Sequence, residues 1–336
     1  MQGSKLENIK RVLERYFEGE DVACIEVESE FECTFSRFQI IKATLSRSGT
    51  RYFYLKNHKY TEDDYEAIQK KVQNEYEATS EAAKIIEGKF PGSTINMISL
   101  DPAGCSVLSE KIDGVNLDKL IAGSARLFSL SGQFQNVCQL NNKVGKWLRA
   151  FQDNSIHEGS LINIDEMREY NMERINSLRE FGFFQEKAID DERLVALFNK
   201  LFGQVKDSDL NKCVLHGDFG PFNIMADGDR IVVVDFEMSI LGSFYHDAAY
   251  YLNNLDEFKH KIHISDKKID KLKAEFLCGL DRKLDADEPL FVVYDMQVTL
   301  CKTLSLYSRL RPKGILRVLD ELNLKHYINK LRKHIY

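Results

Sequence analysis

No stretch of the chain approaches the ~18 uninterrupted apolar residues of a membrane-spanning helix. The first residues, Met1-Gln2-Gly3-Ser4-Lys5-Leu6-Glu7, lack the basic-then-apolar order of a secretory signal, and Gly3 is not where a myristoylation signal needs it. Positive charge is not in excess: Lys+Arg 46 against Asp+Glu 52 gives a net charge of -6, which excludes a generally basic surface for nucleic acid. The seven cysteines (Cys24, Cys33, Cys105, Cys138, Cys213, Cys278, Cys301) are odd in number and form no Cys-x-x-Cys pair, which argues against zinc and against a disulfide framework. Reduced thiols in a cytoplasmic protein are the expectation. Proline is scarce, with five in 336 residues, and there is no internal repeat or low-complexity linker. What is present, 43% hydrophobic and 29% charged residues, suits a soluble globular chain long enough for one large domain or two lobes.

Two textures divide it. After a helical pattern at Leu6, Ile9, Val12, Leu13 and Phe17, β-branched and aromatic residues predict strands over Ile25–Ser29, Phe35–Leu45, Arg51–Lys56, Thr94–Leu100 and Cys105–Lys111. A long helix from Thr61 to about Gly88 interrupts them, with Thr61 and Asp64 resembling a capping box. From Leu117 the chain reads as mostly helical, over Leu130–Phe151, Asp165–Phe181, Glu192–Val205, Ser265–Arg282, Leu290–Arg309 and the tail from Gly314. The expected class is α+β, with a sheet-plus-helix lobe at 1–110 and a larger helical lobe at 111–336.

The chemistry concentrates in Val214–Asn254. His216-Gly217-Asp218 is followed by Asn223, by the apolar run Ile231-Val232-Val233-Val234 ending in Asp235-Phe236-Glu237, and by Asp247, with Asp227-Gly228 marking a turn. Phosphoryl transfer needs a divalent metal on the phosphates, a base facing the acceptor hydroxyl and positive charge along the phosphates. Magnesium prefers hard oxygen ligands of the kind that Asn223 and Asp235 offer. Any one of these residues alone would more often be a turn or cap. Their joint spacing, each in a strand or turn context, reverses that reading.

The stretch resembles the catalytic region of the aminoglycoside phosphotransferase and choline kinase-like family, which shares the protein kinase fold. The resemblance implies Asp218 as catalytic base, Asn223 and Asp235 as Mg2+ ligands, Asp247 as a brace of the catalytic loop and His216 as a loop residue rather than a proton shuttle. It also implies a bilobal kinase-like fold and transfer of the ATP γ-phosphate to a hydroxyl of a sugar, aminoglycoside, amino alcohol or glycan. A protein kinase is the weaker reading, because no Ala-Pro-Glu follows Asp235 and Asp247 comes soon after it.

Such an enzyme needs a lysine at the end of the third strand paired with a helix glutamate. Lys56 ends Arg51-Tyr52-Phe53-Tyr54-Leu55-Lys56. Glu77 is the first candidate partner, with Glu75 next and Glu81 behind. The hinge resemblance at Val107–Gly114 places adenine against the backbone around Ser109–Ile112, making Glu110 and Ile112 nucleotide-binding positions. One departure stands out: Glu28-Ser29-Glu30-Phe31-Glu32-Cys33-Thr34-Phe35-Ser36, between the first two strands, contains no glycine. Ser36 is a candidate phosphate donor there, and the alternative of a catalytically weak or inactive kinase-fold binding protein rests on this loop. Candidate acceptor-wall residues are Asp153, Tyr245, Tyr250, Asp295 and Tyr307. The basic tail (Lys325, His326, Lys330, Arg332, Lys333, His334) reads as a helix packed on the second lobe, with peripheral contact to an anionic membrane as the sharper alternative.

Overall fold

The computed structural model describes residues 2–128, 131–206, 210–261, 263–282, 284, 288–310 and 315–336. The elements begin with α1 (Gln2–Tyr16), β1 (Val22–Glu32), β2 (Ser36–Leu45), β3 (Gly49–His58), α2 (Tyr65–Ile86), β4 (Met97–Asp101), β5 (Ser106–Glu110) and β6 (Val115–Asn116). They continue with α3 (Leu117–Ser124), α4 (Ser131–Asp153), β7 (Ile156–Leu161), α5 (Ile164–Glu180), α6 (Phe183–Glu186), α7 (Asp191–Phe202), β8 (Asn211–Leu215), β9 (Ile224–Asp227) and β10 (Arg230–Val233). The last are β11 (Ile240–Ser243), α8 (Phe244–Glu257), α9 (Asp266–Leu280), α10 (Pro289–Ser308) and α11 (Ile315–Ile335). None of the described helices is long and apolar enough to cross a membrane. The chain divides into two compact units, Met1–Asn116 with Asn223–Ser239, and Leu117–Phe222 with Ile240–Tyr336.

The first unit is built on an antiparallel sheet in the order β1-β2-β3-β5-β4. Strand alternation sends Ile41, Ala43 and Leu45 of β2 and Phe53 and Leu55 of β3 to one face, where they pack with Ile9 and Leu13 of α1. The register pairs Phe38 with Lys56 and Ile40 with Tyr54, so these four share the opposite face. Helix α2 buries Val72, Glu75, Thr79, Ala82 and Ile86, a stripe of steps of three and four. Val72 packs on Cys105 and Val107. The helix starts later than the capping-box reading implied, because the Asp64 carboxylate accepts the Thr61 N–H in the preceding turn and caps nothing in the helix.

Asn223–Ser239 joins this unit through a small sheet, β10-β9-β6, and through a bridge from Thr94 to Val233. Gly114 permits the approach, since a Cβ there would lie 2.8 Å from the Ala226 carbonyl oxygen.

The second unit is mainly helical, with a three-stranded sheet β11-β8-β7. One core gathers Ile175, Leu178, Phe183, Phe198, Val293, Met296 and Leu300 with Leu324, Ile328 and Leu331 of α11. The basic tail is thus a packed helix whose Lys330 and His334 both turn to the partly buried Asp295. Helices α4 and α9 meet at two glycines: a Cβ on Gly145 would sit 2.1 Å from the Phe276 oxygen, and one on Gly279 1.9 Å from the Asn142 oxygen. Backbone cannot yield there as a side chain can. Gly279→Val is therefore expected to destabilise the protein by about 3 kcal/mol or more, whereas Gly88→Ala, into open space, should stay within about 0.5 kcal/mol in the same denaturant titration.

Candidate active site

In the first unit, Lys56 is the centre of a buried charge cluster. Its Nζ lies 2.9 Å from Glu75 Oε1, 2.9 Å from Asp235 Oδ1 and 3.4 Å from Glu237 Oε2. Burial pulls the ammonium pKa down, but the Glu75, Asp235 and Glu237 carboxylates outweigh it and hold the pKa above its ordinary value. The partner on α2 is Glu75 and not Glu77. Glu77 lies two residues further along, about 200° around the helix. It is exposed and accepts a hydrogen bond from Gln73.

Two residues that sequence reasoning missed complete the cluster. His58 Nε2 lies 2.9 Å from Glu75 Oε2, so the two oxygens of Glu75 are divided between Lys56 and His58. Lys71 Nζ lies 3.0 Å from Glu237 Oε1. Both were signalled by period: His58 is one strand repeat after Lys56, and Lys71 one helical turn before Glu75.

Asp235 follows β10 with φ +68, a left-handed conformation that costs a non-glycine residue roughly 1–3 kcal/mol. The following segment is tied to α2, where Asn74 Nδ2 donates to the Glu237 oxygen at 2.9 Å. The Val234 N–H donates to the Asn223 carbonyl at 3.0 Å, so buried Asn223 and the approach to Asp235 run side by side. The donor set fits magnesium: an amide and carboxylates are hard oxygen ligands, and Glu75, Asp235 and Glu237 outnumber the ammonium groups of Lys56 and Lys71.

The remaining first-unit candidates lie apart in role. Ser36 is buried opposite His58 in the β2–β3 register, on the Lys56 face. The turn before it is a closed hairpin, with the Cys33 N–H donating to the Ser36 oxygen at 2.8 Å. Phe31 and Phe38 stack beside it, ring centroids 5.1 Å apart. At the hinge, the Glu110 N–H already donates to the Asn96 oxygen and its carboxylate accepts from Asn96 Nδ2. Ile112 lies just beyond the end of β5.

The second unit carries Asp218 on the loop after β8. Asp247, fully buried on α8, accepts the N–H groups of His216 at 2.8 Å and Gly217 at 3.1 Å. His216 is also buried, and its Nδ1 accepts the Asp218 N–H at 3.3 Å. Gly217 supplies the turn at φ +83. Phe219 anchors the far side, its ring 5.8 Å from Trp147 and 5.6 Å from Tyr251. The Tyr250 hydroxyl is hydrogen-bonded to Asp218; burial first, and then the Asp218 charge, raise its pKa.

Residues 145–262 match the model of the phosphotransferase enzyme family. No curated protein matches the sequence. Among solved structures, a putative aminoglycoside phosphotransferase from Ralstonia eutropha is similar at 12% identity, with 96% of this chain and 98% of that one covered and a TM-score of 0.58. A choline kinase from Streptococcus pneumoniae gives 10% identity, 97% and 98% coverage and a TM-score of 0.53. A glucosamine kinase in complex with glucosamine, ADP and phosphate gives 10% identity, 96% and 99% coverage and a TM-score of 0.55. The resemblance to the aminoglycoside phosphotransferase and choline kinase-like family holds. The fold is the α+β protein kinase-like one, and the family match supports phosphotransferase chemistry.

A hollow of about 740 Å³ opens in the second unit of this phosphotransferase-like chain. Its lining includes Pro221 and Phe222 from the Asp218 loop, Asn254 and Glu257 from α8, Lys302 from α10 and Tyr327 from α11. None of the five acceptor-wall candidates lines it. Asp153 is paired with Arg149 and Arg282, and Asp295 with Lys330 and His334. Tyr245 packs with Ile162, Leu290 and Tyr294, while Tyr307 bonds Glu186. Tyr250 bonds Asp218, and its ring centre lies 5.2 Å from Lys302 Nζ.

Proposed function

We propose that the protein transfers the γ-phosphoryl group of ATP to a hydroxyl of a small molecule or glycan. The observation that carries this reading is Lys56, an ammonium held by Glu75 and Asp235 in the unit that also holds Asn223. In the reaction, Lys56 positions the α and β phosphates. The acceptor oxygen forms a bond to the γ-phosphorus as the bond to the bridging oxygen of ADP breaks, and the hydroxyl proton passes to an Asp218 carboxylate oxygen. A carboxylate of ordinary pKa is a weak base, so Asp218 acts mainly by aiming the hydroxyl and taking its proton late. Magnesium would be held by Asn223 and Asp235, where it supplies charge neutralisation along the phosphates. Ser36 and the backbone near Ile112 are the remaining nucleotide-side candidates.

The closed, glycine-free hairpin at Cys33–Ser36 favours a second reading, a kinase-fold protein that binds nucleotide without turnover. A screen of hydroxyl acceptors with labelled ATP and magnesium separates the two. The enzyme reading expects labelled product from at least one sugar, amino alcohol or glycoside, lost in Asp218→Ala. Magnesium-dependent stabilisation by ATP with no transfer to any acceptor would leave the binding protein standing.

A further inference from the structure

We infer that the hollow takes a hydroxylated acceptor without net positive charge, and that Lys302 is the residue that keeps polycations out. This rests on the reading of the hollow as the acceptor site of the reaction above. A site for a polycation needs carboxylates in excess of its own cations, and this lining matches its two acids with two lysines. Of its acids, Glu257 accepts hydrogen bonds from Lys302 Nζ and from the Tyr327 hydroxyl, both on the same oxygen, Oε1. Asp118, in the first turn of α3, accepts the Lys119 N–H. Against these two acids stand Lys302 and Lys261, with His263 beside them, so the lining is charge-balanced before any ligand enters.

Lys302 is fixed rather than free to swing away. Its Nζ donates to Asn254 Oδ1 at 2.8 Å as well as to Glu257, and sits 5.2 Å from the centre of the Tyr250 ring. Tyr250 is the residue hydrogen-bonded to Asp218. One continuous set of contacts therefore runs from the proposed base to the ammonium group in the wall. An amine placed against Lys302 in the wall would meet that fixed like charge, while a neutral hydroxyl would not. Apart from Ser305, the rest of the wall is apolar, from Pro221, Phe222, Phe258, Leu306 and Leu322. The volume lies in the ~300–1,000 Å³ range of pockets for drug-sized ligands. A neutral glycoside, with its hydroxyls and apolar ring faces, fits both the charge and the size.

The test uses a matched pair, kanamycin and its fully N-acetylated form, which share a skeleton and differ in charge. Binding to the full-length protein is measured by titration calorimetry without ATP, so it reads the hollow whether or not phosphoryl transfer occurs. The wild type is expected to bind the acetylated compound at least as tightly as kanamycin. Lys302→Met, which releases Glu257, should shift the ratio toward kanamycin by about tenfold, and adding Glu257→Gln should reverse the shift. Lys302→Gln serves in the same way if Lys302→Met does not fold. A wild type that prefers kanamycin or binds neither compound, or a ratio unmoved by either Lys302 variant, overturns the inference. The labelled-ATP screen addresses the kinase reading separately.

Discussion

Asp218→Asn is expected to lower phosphoryl transfer by about 10²–10⁴-fold while leaving ATP binding and thermal stability close to wild type. The separation follows from how the loop is held. Its backbone is fixed by the Asp247 carboxylate on the His216 and Gly217 N–H groups and by Phe219 against Trp147 and Tyr251. Neither anchor uses the Asp218 side chain. An asparagine amide oxygen can still accept from the Tyr250 hydroxyl, so no buried donor is stranded, but the proton acceptor is gone. Single-turnover transfer and ATP-dependent melting, measured on the same preparation, check both halves. Transfer within about tenfold of wild type would remove Asp218 from the base role, since a positioned base is worth more than that.

The candidate residues that were legible in the sequence are those set by local order. Asp218, Asn223 and Asp235 lie within one stretch, and Lys56 lies in a strand whose aromatic neighbours announce it, although that strand runs two residues further, to His58. The strands of the first sheet were visible because Ile41, Ala43, Phe53 and Leu55 alternate with polar positions. What was lost depends on contacts distant in sequence. β6 has only Val115 and Asn116, too short for any period, yet it helps bring Asn223–Ser239 into the first unit. β7, with His157-Glu158-Gly159-Ser160 and almost no burial, has no alternation to read. The acceptor-wall candidates do not line the hollow, for a related reason. Acidic and aromatic residue types carry no sign of their partners, and Asp153, Asp295 and Tyr307 are each held by partners on other elements.

Glu75 shows where a period could have outweighed a spacing. Val72, Thr79, Ala82 and Ile86 define the buried stripe of α2, and Glu75 falls on it while Glu77 does not. Glu75→Gln should therefore damage the enzyme and Glu77→Gln should not. Breaking a buried ion pair typically costs 3–5 kcal/mol, but Lys56 keeps Asp235 and Glu237 as partners, which reduces the loss to about 1–3 kcal/mol. The damage should appear in function, because a Lys56 released by Glu75 leans on Asp235, the residue proposed to hold magnesium. kcat/KM for MgATP is expected to fall by about 10–100-fold. Excess magnesium should recover part of it, since metal and Lys56 then compete for one carboxylate. His58→Phe should move the same parameter in the same direction but less, because it frees only the Glu75 oxygen that Lys56 does not use. Glu77→Gln removes a charge whose neighbour is Gln73 on the helix surface, and its kinetics should stay within about twofold of wild type. A larger loss in Glu77→Gln than in Glu75→Gln would put the lysine partner back where residue counting had placed it.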